Sequence, residues 1–362
     1  MMADLKSFWQ GKRVLVTGHT GFKGGWLSLW LESLGAHVSG FALDPETTPN
    51  FFTVTEMNSR IDSHIGDVRE FAVVKSVLNK LKPEIIFHLA AQPLVRFSYN
   101  QPVETYATNV MGVVHLLESA RQVGHVKAIV NVTTDKCYEN KEWLWGYREN
   151  EPMGGYDPYS SSKGCSELVT QAYRQSFLSA SNIHLASARA GNVIGGGDWS
   201  LDRLVPDLLK ALEQNKSALI RNPHSVRPWQ HVLEPLFGYL SLAQKLYEEG
   251  GEEFAQAWNF GPNDSDTRPV GWIADQLVKL WGKGASWTLD GQDHPHEANY
   301  LKLDISKAKA KLGWSPTWDL SIALDKIAEW HLAWQAQQNM HDFCLNQIAQ
   351  YQQAATLKVK GL

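Results

Sequence analysis

The chain has 362 residues, of which 43% are hydrophobic and 20% charged, and its formal net charge is -4. This composition is ordinary for a globular protein of one large domain or two, and the slight acidic excess argues against bulk nucleic-acid binding. No stretch approaches the roughly 20 apolar residues that a membrane span needs, and residues 1–9 lack the apolar core of a secretory signal. The three cysteines, Cys137, Cys165 and Cys344, form no CxxC pair, so we expect no metal site. Such a sparse, odd-numbered set is typical of a protein in a reducing cytoplasm.

Strand-like and helix-like segments alternate from the start of the chain. A buried strand is predicted at 12–17, and further strands are predicted at 37–43, 61–65, 84–89, 127–133 and 183–189. Apolar residues at helical spacing predict helices at 22–34, 69–81, 103–123 and 159–177. This alternation predicts an α/β fold with a doubly wound parallel sheet, covered by helices on both faces. Active sites of such sheets lie beyond the carboxyl ends of the strands.

The rhythm changes after residue 190. A helix is predicted at 204–214, short elements broken by prolines follow, and residues 319–353 are largely helical. We therefore expect a first domain over 1–190, to which the segment 229–260 returns. A smaller mixed α/β lobe would comprise 191–228 and 261–362, including the C-terminal helices.

The first predicted strand ends in a glycine-rich turn before a helix. Glycine is needed where backbone adopts unusual angles or approaches phosphate, and the following helix offers free N–H groups to a pyrophosphate. A tight turn without a ligand is the alternative interpretation. The residues predicted to hold a dinucleotide here are Gly18, Thr20, Gly21, Phe22, Lys23 and Gly24.

The next strand ends supply further candidate contacts to the same cofactor. Asp44 follows the second strand about 20 residues after the last glycine, where a carboxylate would bond to ribose hydroxyls and favour NAD over NADP. Asp67 and Val68 follow the third strand and would frame the adenine. Small residues let backbone pass close to the cofactor after the fourth strand, in the segment Leu89, Ala90, Ala91 and Gln92.

Tyr159 and Lys163 stand four residues apart at the start of a predicted helix, and residues four apart share a helix face. An ammonium beside a phenol favours phenolate, so we predict that Lys163 lowers the pKa of Tyr159 from about 10 toward the working pH. The tyrosine could then accept a proton from a hydroxyl group, and both side chains would also touch the cofactor.

The fifth predicted strand ends at Thr134, Asp135 and Lys136. A hydroxyl at this position can hold a reacting oxygen. The acid and the amine beside it indicate an additional proton transfer, although a loop with solvated charges is the alternative.

With these residues in place, the chain resembles the extended short-chain dehydrogenase family of NAD-dependent epimerases and dehydratases, which act on nucleotide-activated sugars. The resemblance implies a Rossmann-type NAD-binding domain and a substrate-binding lobe. The segments that carry it are GHTGFKGGWLSLWL (18–31), FHLAAQPLVRFSY (87–99), VTTDKCYEN (132–140), YDPYSSSKG (156–164) and RAGNVIGGGDW (189–199).

The first and last of these segments are typical of the family's CDP-sugar branch. They imply 4,6-dehydration of CDP-glucose to CDP-4-dehydro-6-deoxy-D-glucose, by C4 oxidation, C5–C6 elimination and hydride return to C6. Tyr159 would take the C4 hydroxyl proton, assisted by Thr134 and Lys163. As a hypothesis, Lys136 removes the C5 proton while Asp135 protonates the leaving C6 hydroxyl. Most related 4,6-dehydratases carry Asp-Glu here, so Lys136 leaves open which group acts as the base.

The resemblance also implies substrate contacts and an assembly. Helices 103–123 and 159–177 would pair as a four-helix bundle in a homodimer, with a homotetramer as the alternative. His294 and His296 would border the site. For the arginines of the substrate set, a surface or ion-pair role is the alternative. The residues expected to contact substrate are Arg96, Asn192, Arg203, Arg227 and Tyr300.

Two rival functions remain open at this point. A 4-epimerase or reductase of the same family would not need the acid–amine pair at 135 and 136. A non-catalytic NAD-sensing protein need not keep Tyr159 and Lys163, and the chain has both.

Overall fold

The centre of the molecule is a seven-stranded parallel sheet. The computed structural model describes residues 2–282, 284–292 and 300–359. The sheet order is β11-β6-β5-β4-β1-β2-β3, and every neighbouring pair is parallel. The predicted α/β fold with a doubly wound parallel sheet is confirmed. Its strands are β1 (Arg13–Thr17), β2 (His37–Ala42), β3 (Asp62–Ile65), β4 (Ile85–His88), β5 (Ala128–Val132), β6 (His184–Ala190) and β11 (Ala257–Phe260).

Helices cover both faces of this sheet. Val14 and Val16 of β1 point into one hydrophobic core and Leu15 into another, because successive side chains of a strand alternate between faces. The helices, in chain order, are α1 (Met2–Trp9), α2 (Phe22–Ser33), α3 (Phe51–Val54), α4 (Phe71–Leu81), α5 (Val95–Asn100), α6 (Pro102–Tyr106), α7 (Gly112–Val123), α8 (Pro158–Tyr173), α9 (Leu204–Glu213), α10 (Leu233–Tyr247), α11 (Val270–Trp281), α12 (Leu320–Gln335) and α13 (Met340–Val359).

Two predicted helices contain wider turns. A π-helical turn at Ala107–Met111 joins α6 to α7, and another at Arg174–Leu178 continues α8. The predicted helices at 103–123 and 159–177 are therefore present as continuous helical stretches, each with a π-helical turn.

A smaller lobe with its own core follows the sixth strand. Its three strand pairs are β10 with β7, β12 with β9 and β13 with β8, and α9 and α11 pack against them. The strands are β7 (Val193–Ile194), β8 (Ala218–Ile220), β9 (Val226–Pro228), β10 (Gln230–His231), β12 (Thr267–Pro269) and β13 (Trp287–Leu289).

The chain returns from the lobe to the sheet. Helix α10 contacts β5 and β6, and β11 pairs with β6 at the sheet edge. Helix α13 also packs on the sheet domain, where Tyr351 meets the ring of Trp30 with centroids 5.7 Å apart. The domain division at residue 190 stays a prediction.

The sheet reverses its winding direction at β1. The chain runs outward through β2 and β3, then crosses to β4 on the other side of β1. The loops after β1 and β4 therefore diverge and leave a crevice at the carboxyl ends of these strands, which is where such folds bind ligands. In the part of the chain that the structure describes, no helix is long and apolar enough to cross a membrane.

Candidate active site

A cavity of about 650 Å³ occupies this crevice, between the strand ends and the lobe. It contains all the residues that the sequence predicted for cofactor binding and catalysis, and four of the five predicted for substrate. Those residues are Gly18, Thr20, Gly21, Phe22, Lys23, Gly24, Asp44, Asp67, Val68, Leu89, Ala90, Ala91, Gln92, Thr134, Asp135, Lys136, Tyr159, Lys163, Arg96, Asn192, Arg203 and Arg227.

The glycine turn brings backbone segments too close together for side chains. Gly18 has φ +77°, and a Cβ there would lie 2.8 Å from the Ala90 nitrogen. A Cβ on Gly24 would lie 2.1 Å from the Gly18 oxygen. Helix α2 begins immediately after this turn, at Phe22, so its free N–H groups face the cavity. The geometry fits a pyrophosphate seated on the turn.

The adjoining part of the cavity suits a nucleoside. The Thr20 hydroxyl donates to the Leu43 carbonyl at 2.8 Å, which ties the glycine turn to the end of β2, and the exposed Asp44 lies beside it. The Asp67 carboxylate accepts from the backbone and the guanidinium of Arg69, both at 2.8 Å. These carboxylates at the strand ends can accept hydrogen bonds from a ribose.

Tyr159 is placed by the start of α8. Asp157 caps this helix by accepting from the Ser160 nitrogen at 2.9 Å, and the Tyr159 nitrogen donates to the Ser98 hydroxyl at 3.1 Å. The Tyr159 side chain is buried, and its burial raises the pKa of the phenol to about 12, although a hydrogen bond with Thr134 acts to lower it. The predicted lowering of the phenol pKa is therefore wrong, because spacing along a helix does not reveal that the phenol is withdrawn from water.

Lys163 lies one turn further along α8. Its Nζ donates to the Val132 carbonyl at 3.5 Å. Burial lowers the pKa of Lys163 to about 8, while the charge of Glu167 acts to raise it. The ammonium form is thus present at neutral pH and is lost at moderately alkaline pH.

The turn after β5 presents an acid and an amine. Residues Asp135–Cys137 form a single 3-10 turn, which Thr134 caps. The Thr134 hydroxyl donates to Asp135 Oδ1 at 2.9 Å, and Asp135 Oδ2 is buried without a hydrogen-bond partner among the described residues. Asp135 is only 2% exposed, and burial raises its pKa against the opposing effects of Lys136 and Arg227. These features favour the protonated carboxyl, which can act as an acid.

A buried ion pair that the sequence analysis missed lies under this turn. Glu167 accepts from the hydroxyls of Thr133 and Ser187 and from Arg189, whose Nη2 is 2.7 Å from Glu167 Oε2. Arg189 also donates to the Tyr138 hydroxyl at 2.7 Å. Glu167 follows Lys163 by four residues on α8, and this helical spacing was the available signal.

The predicted substrate residues differ in their surroundings. Arg96 pairs with Asp202 at 3.0 Å, and Arg203 pairs with Asp198 at 2.9 Å. Arg227 is buried in the cavity wall.

Asn192 is also a predicted substrate residue that lines the cavity, and it lies at the start of the lobe. Its carbonyl accepts from the Gln230 nitrogen at 3.0 Å.

Tyr300 is placed differently from the other predicted substrate residues. It is not among the described residues that line the cavity, and its hydroxyl donates to the Leu144 carbonyl at 3.4 Å. His294 and His296 lie outside the described residues.

The lobe adds wall residues that carried no sequence motif. They are short polar, aromatic and charged side chains from several separate elements, and only the folded lobe brings them together. These residues are Asp207, Arg221, Asn222, Ser225 and Trp229. Across the described ranges, no group of His, Cys, Asp and Glu side chains has the arrangement of a metal site.

Comparison with known proteins places these features in context. Residues 15–327 match the family model described as GDP-mannose 4,6 dehydratase. The CDP-glucose 4,6-dehydratase of Salmonella typhimurium is 59% identical over 97% of this chain and 99% of that enzyme. A dTDP-glucose 4,6-dehydratase of Xanthomonas campestris is 25% identical over 88% of this chain and 92% of that enzyme.

Solved structures share the architecture at lower identity. The dTDP-glucose 4,6-dehydratase of Streptomyces venezuelae, solved with NAD bound, has a TM-score of 0.76 at 21% identity, covering 91% of this chain and 99% of that one. An epimerase of Methanothermobacter thermautotrophicus has a TM-score of 0.79 at 22% identity, covering 93% and 97%. These likenesses establish the fold.

Proposed function

Because the chain belongs to the family described as GDP-mannose 4,6 dehydratase, we propose that it is a lyase that removes water from CDP-D-glucose. The product is CDP-4-dehydro-6-deoxy-D-glucose, a precursor type for the deoxysugars of bacterial surface polysaccharide such as lipopolysaccharide O-antigen. The observation that carries the proposal is the 59% identity, along nearly the whole chain, with a CDP-glucose 4,6-dehydratase.

The proposed cofactor is NAD, and the cavity fits it. The glycine turn at 18–24 would seat the pyrophosphate, and Asp44 would bond to the adenosine ribose and repel the 2′-phosphate of NADP. When bound, NAD supplies the hydride acceptor for the sugar C4 and the hydride donor for C6.

Tyr159 is the base of the oxidation half. Its phenol would take the proton of the C4 hydroxyl, and the Thr134 hydroxyl would hold the same oxygen. The ammonium of Lys163, one helical turn along α8 in the same cavity, would favour the phenolate as it develops.

The pair at 135 and 136 performs the elimination. A ketone at C4 acidifies the C5 hydrogen, and Lys136 would remove it. Asp135, whose pKa is raised by burial, would give its proton to the departing C6 hydroxyl, so that water leaves. Lys136 must be neutral to act, and Asp135 must be protonated.

This pair distinguishes the proposal from its rivals. A 4-epimerase or a reductase needs Tyr159 and Lys163 but no acid to expel a hydroxyl, and a sensor needs neither set. Asp135 Oδ2 is buried without a partner in the described structure, an arrangement that costs free energy and is consistent with a chemical task for the carboxyl.

Incubation of the enzyme with CDP-glucose and NAD in deuterated water tests the function. Dehydration should place solvent deuterium at C5 and give a 4-keto-6-deoxy product. A C4-inverted sugar would establish the epimerase instead, and unchanged CDP-glucose would support the sensor. Parallel incubations with dTDP-, GDP- and UDP-glucose test the base, and equal turnover of all four would contradict specificity for cytidine.

We further propose a cytoplasmic homodimer. Apolar side chains are exposed along the helical stretches 102–123 and 158–178, where Val103 is 82% and Leu168 55% exposed. A second copy would cover these side chains in a four-helix bundle. The cysteines are unpaired, as expected in a reducing compartment. Sedimentation equilibrium distinguishes the dimer from a tetramer or a monomer.

A further inference from the structure

The proposed mechanism gives no task to the loop after β7, which reads Gly195, Gly196, Gly197, Asp198. This loop of the lobe packs directly on the helix that follows the glycine turn. A Cβ on Gly195 would lie 2.9 Å from Cζ of Phe22, and the carbonyl of Gly196 accepts from Trp26 Nε1 at 2.9 Å. Side chains at these positions would hold the lobe away from α2. The glycines therefore bring the lobe against the start of the cofactor-binding helix.

Asp198 ends this glycine run and fixes an arginine. Its Oδ1 accepts from the Ser200 nitrogen at 3.0 Å, and its Oδ2 pairs with Arg203 Nη1 at 2.9 Å. The Asp198 side chain is 5% exposed, so the carboxylate has little freedom to turn away. Arg203 is thus held on the cavity wall by the same loop that packs on α2.

A second cation, Lys23, lies in the first turn of helix α2, at the glycine turn. The side chains of Lys23 and Arg203 both line the cavity. The pKa of Lys23 is lowered to about 7, first by burial and next by the charge of Arg203. Two cations in a partly dehydrated wall of one cavity repel each other, and a bound anion that contacts both removes that cost. The glycine turn beside them is shaped to seat a pyrophosphate.

We propose that Arg203, positioned by Asp198, binds the cofactor's pyrophosphate from the side of the lobe, together with Lys23 of helix α2. This assignment rests on the proposed use of NAD, and it moves Arg203 from the predicted substrate contacts to the cofactor. The proposed reaction gives a reason for a second contact to the cofactor. A hydride removed from C4 must return to C6 of the same sugar, so the cofactor has to remain bound through the whole cycle. Contacts to the pyrophosphate from the glycine turn and from the lobe would keep the cofactor bound through both hydride transfers.

Calorimetric titration of nucleotide-free enzyme with NAD, without any sugar nucleotide, tests the proposal. The Arg203→Met variant should bind NAD about 10- to 100-fold more weakly, as expected for the loss of a charge-assisted contact. Asp198→Asn keeps the shape of the side chain and should cause a smaller loss in the same direction. Arg203→Lys keeps the charge without the fork of donors and should fall between the wild type and Arg203→Met. Thermal unfolding of each variant checks that the fold is intact.

Titration with CDP alone measures whether Arg203 contacts the substrate nucleotide as well as the cofactor. The proposal expects the CDP affinity of Arg203→Met to stay within about twofold of the wild type, a difference well under 1.4 kcal/mol. Arg221→Met is the matched control, because Arg221 lines the same cavity but pairs with Asp202 at 3.5 Å, and its NAD affinity should be unchanged.

Two results would overturn the assignment. Weakened CDP binding with unchanged NAD binding would return Arg203 to the substrate contacts, and unchanged affinity for both ligands would leave it no binding role. Failure of the wild-type enzyme to bind NAD is a separate outcome, because it would remove the cofactor of the proposed function and the proposal with it.

Discussion

Replacing Glu167 by glutamine is expected to have two effects. It should lower the stability of the fold, and it should shift the pH dependence of kcat/KM. Glu167 and Arg189 form an ion pair at 2.7 Å in which both side chains are about 5% exposed or less. Glutamine keeps the size of the side chain but removes its charge and one of its two acceptor oxygens. The variant would therefore leave the Arg189 guanidinium buried without a counter-charge.

The expected magnitude follows from this burial. Removing one partner of a buried ion pair costs about 3–5 kcal/mol. At ~2.1 cal/mol/K per residue, the 362 residues give an unfolding entropy of roughly 0.76 kcal/mol/K. The melting temperature should therefore fall by about 4–7 °C.

Catalysis supplies a second measurement on the same variant. The charge of Glu167 acts to raise the pKa of Lys163, which burial has lowered to about 8. Without that charge the ammonium of Lys163 is lost at a lower pH. If the ammonium assists Tyr159, activity is present below the Lys163 pKa and declines above it. The alkaline limb of the kcat/KM profile should then move to lower pH in Glu167→Gln.

Glu118→Gln is the matched control. Glu118 pairs with Arg121 at 2.6 Å on the surface of α7, and exposed pairs of this kind contribute less than about 1 kcal/mol. Calorimetric melting and pH–rate profiles of both variants complete the experiment. A fall in melting temperature no larger than that of Glu118→Gln, or an unmoved alkaline limb, would refute the role given to Glu167.

Three further outcomes are expected. Tyr159→Phe should lower kcat by about 10²- to 10⁴-fold in a product-formation assay, since it removes the base of the first step. Lys136→Ala should still permit C4 oxidation, seen as NADH absorbance in a single turnover, but should slow elimination; unaltered turnover would exclude Lys136 as the base. The buried Glu234 has its pKa raised to about 7, so the folded protein binds its proton more tightly than the unfolded chain, and stability should decline as pH rises from about 4.5 through 7, by roughly 3 kcal/mol. Urea unfolding at pH 5 and 8 should show a smaller pH difference for Glu234→Gln than for the wild type.

The sheet was predictable because its signals are local. The buried strands are apolar on both faces, so a run such as Val14, Leu15 and Val16 can be recognised without knowing its neighbours. Strand β11 was harder to locate. It is short and carries Asn259, whose buried amide donates to the Tyr147 carbonyl at 2.8 Å, a partner more than 100 positions away. The segment 229–260, which contains this strand, was predicted to return to the sheet domain, but the bounds of the strand were not predicted.

The same distinction between local and long-range signals applies to the candidate active site. Motifs within one turn of helix or one loop, such as Tyr159 with Lys163, were visible in the sequence, and the structure gathers them in one cavity. Pairs formed between segments were not visible, and Glu167 with Arg189 is the clearest example. The error in the Tyr159 pKa has the same origin. The sequence revealed the neighbouring charge, but tertiary packing determines how far the phenol is removed from water.

Withdrawal from water also affects the proposed acid, Asp135, and the ammonium of Lys163 in the same cavity. Burial disfavours the charged form of every ionisable group, so it raises the pKa of Asp135 and lowers the pKa of Lys163, moving both toward neutrality from opposite sides. An elimination needs a proton donor for the leaving hydroxyl at the pH at which the ammonium of Lys163 still assists Tyr159. A solvated aspartate would already be ionised at that pH and could not donate. The burial of the turn after β5 is therefore a chemical requirement of dehydration, which a simple epimerase does not share.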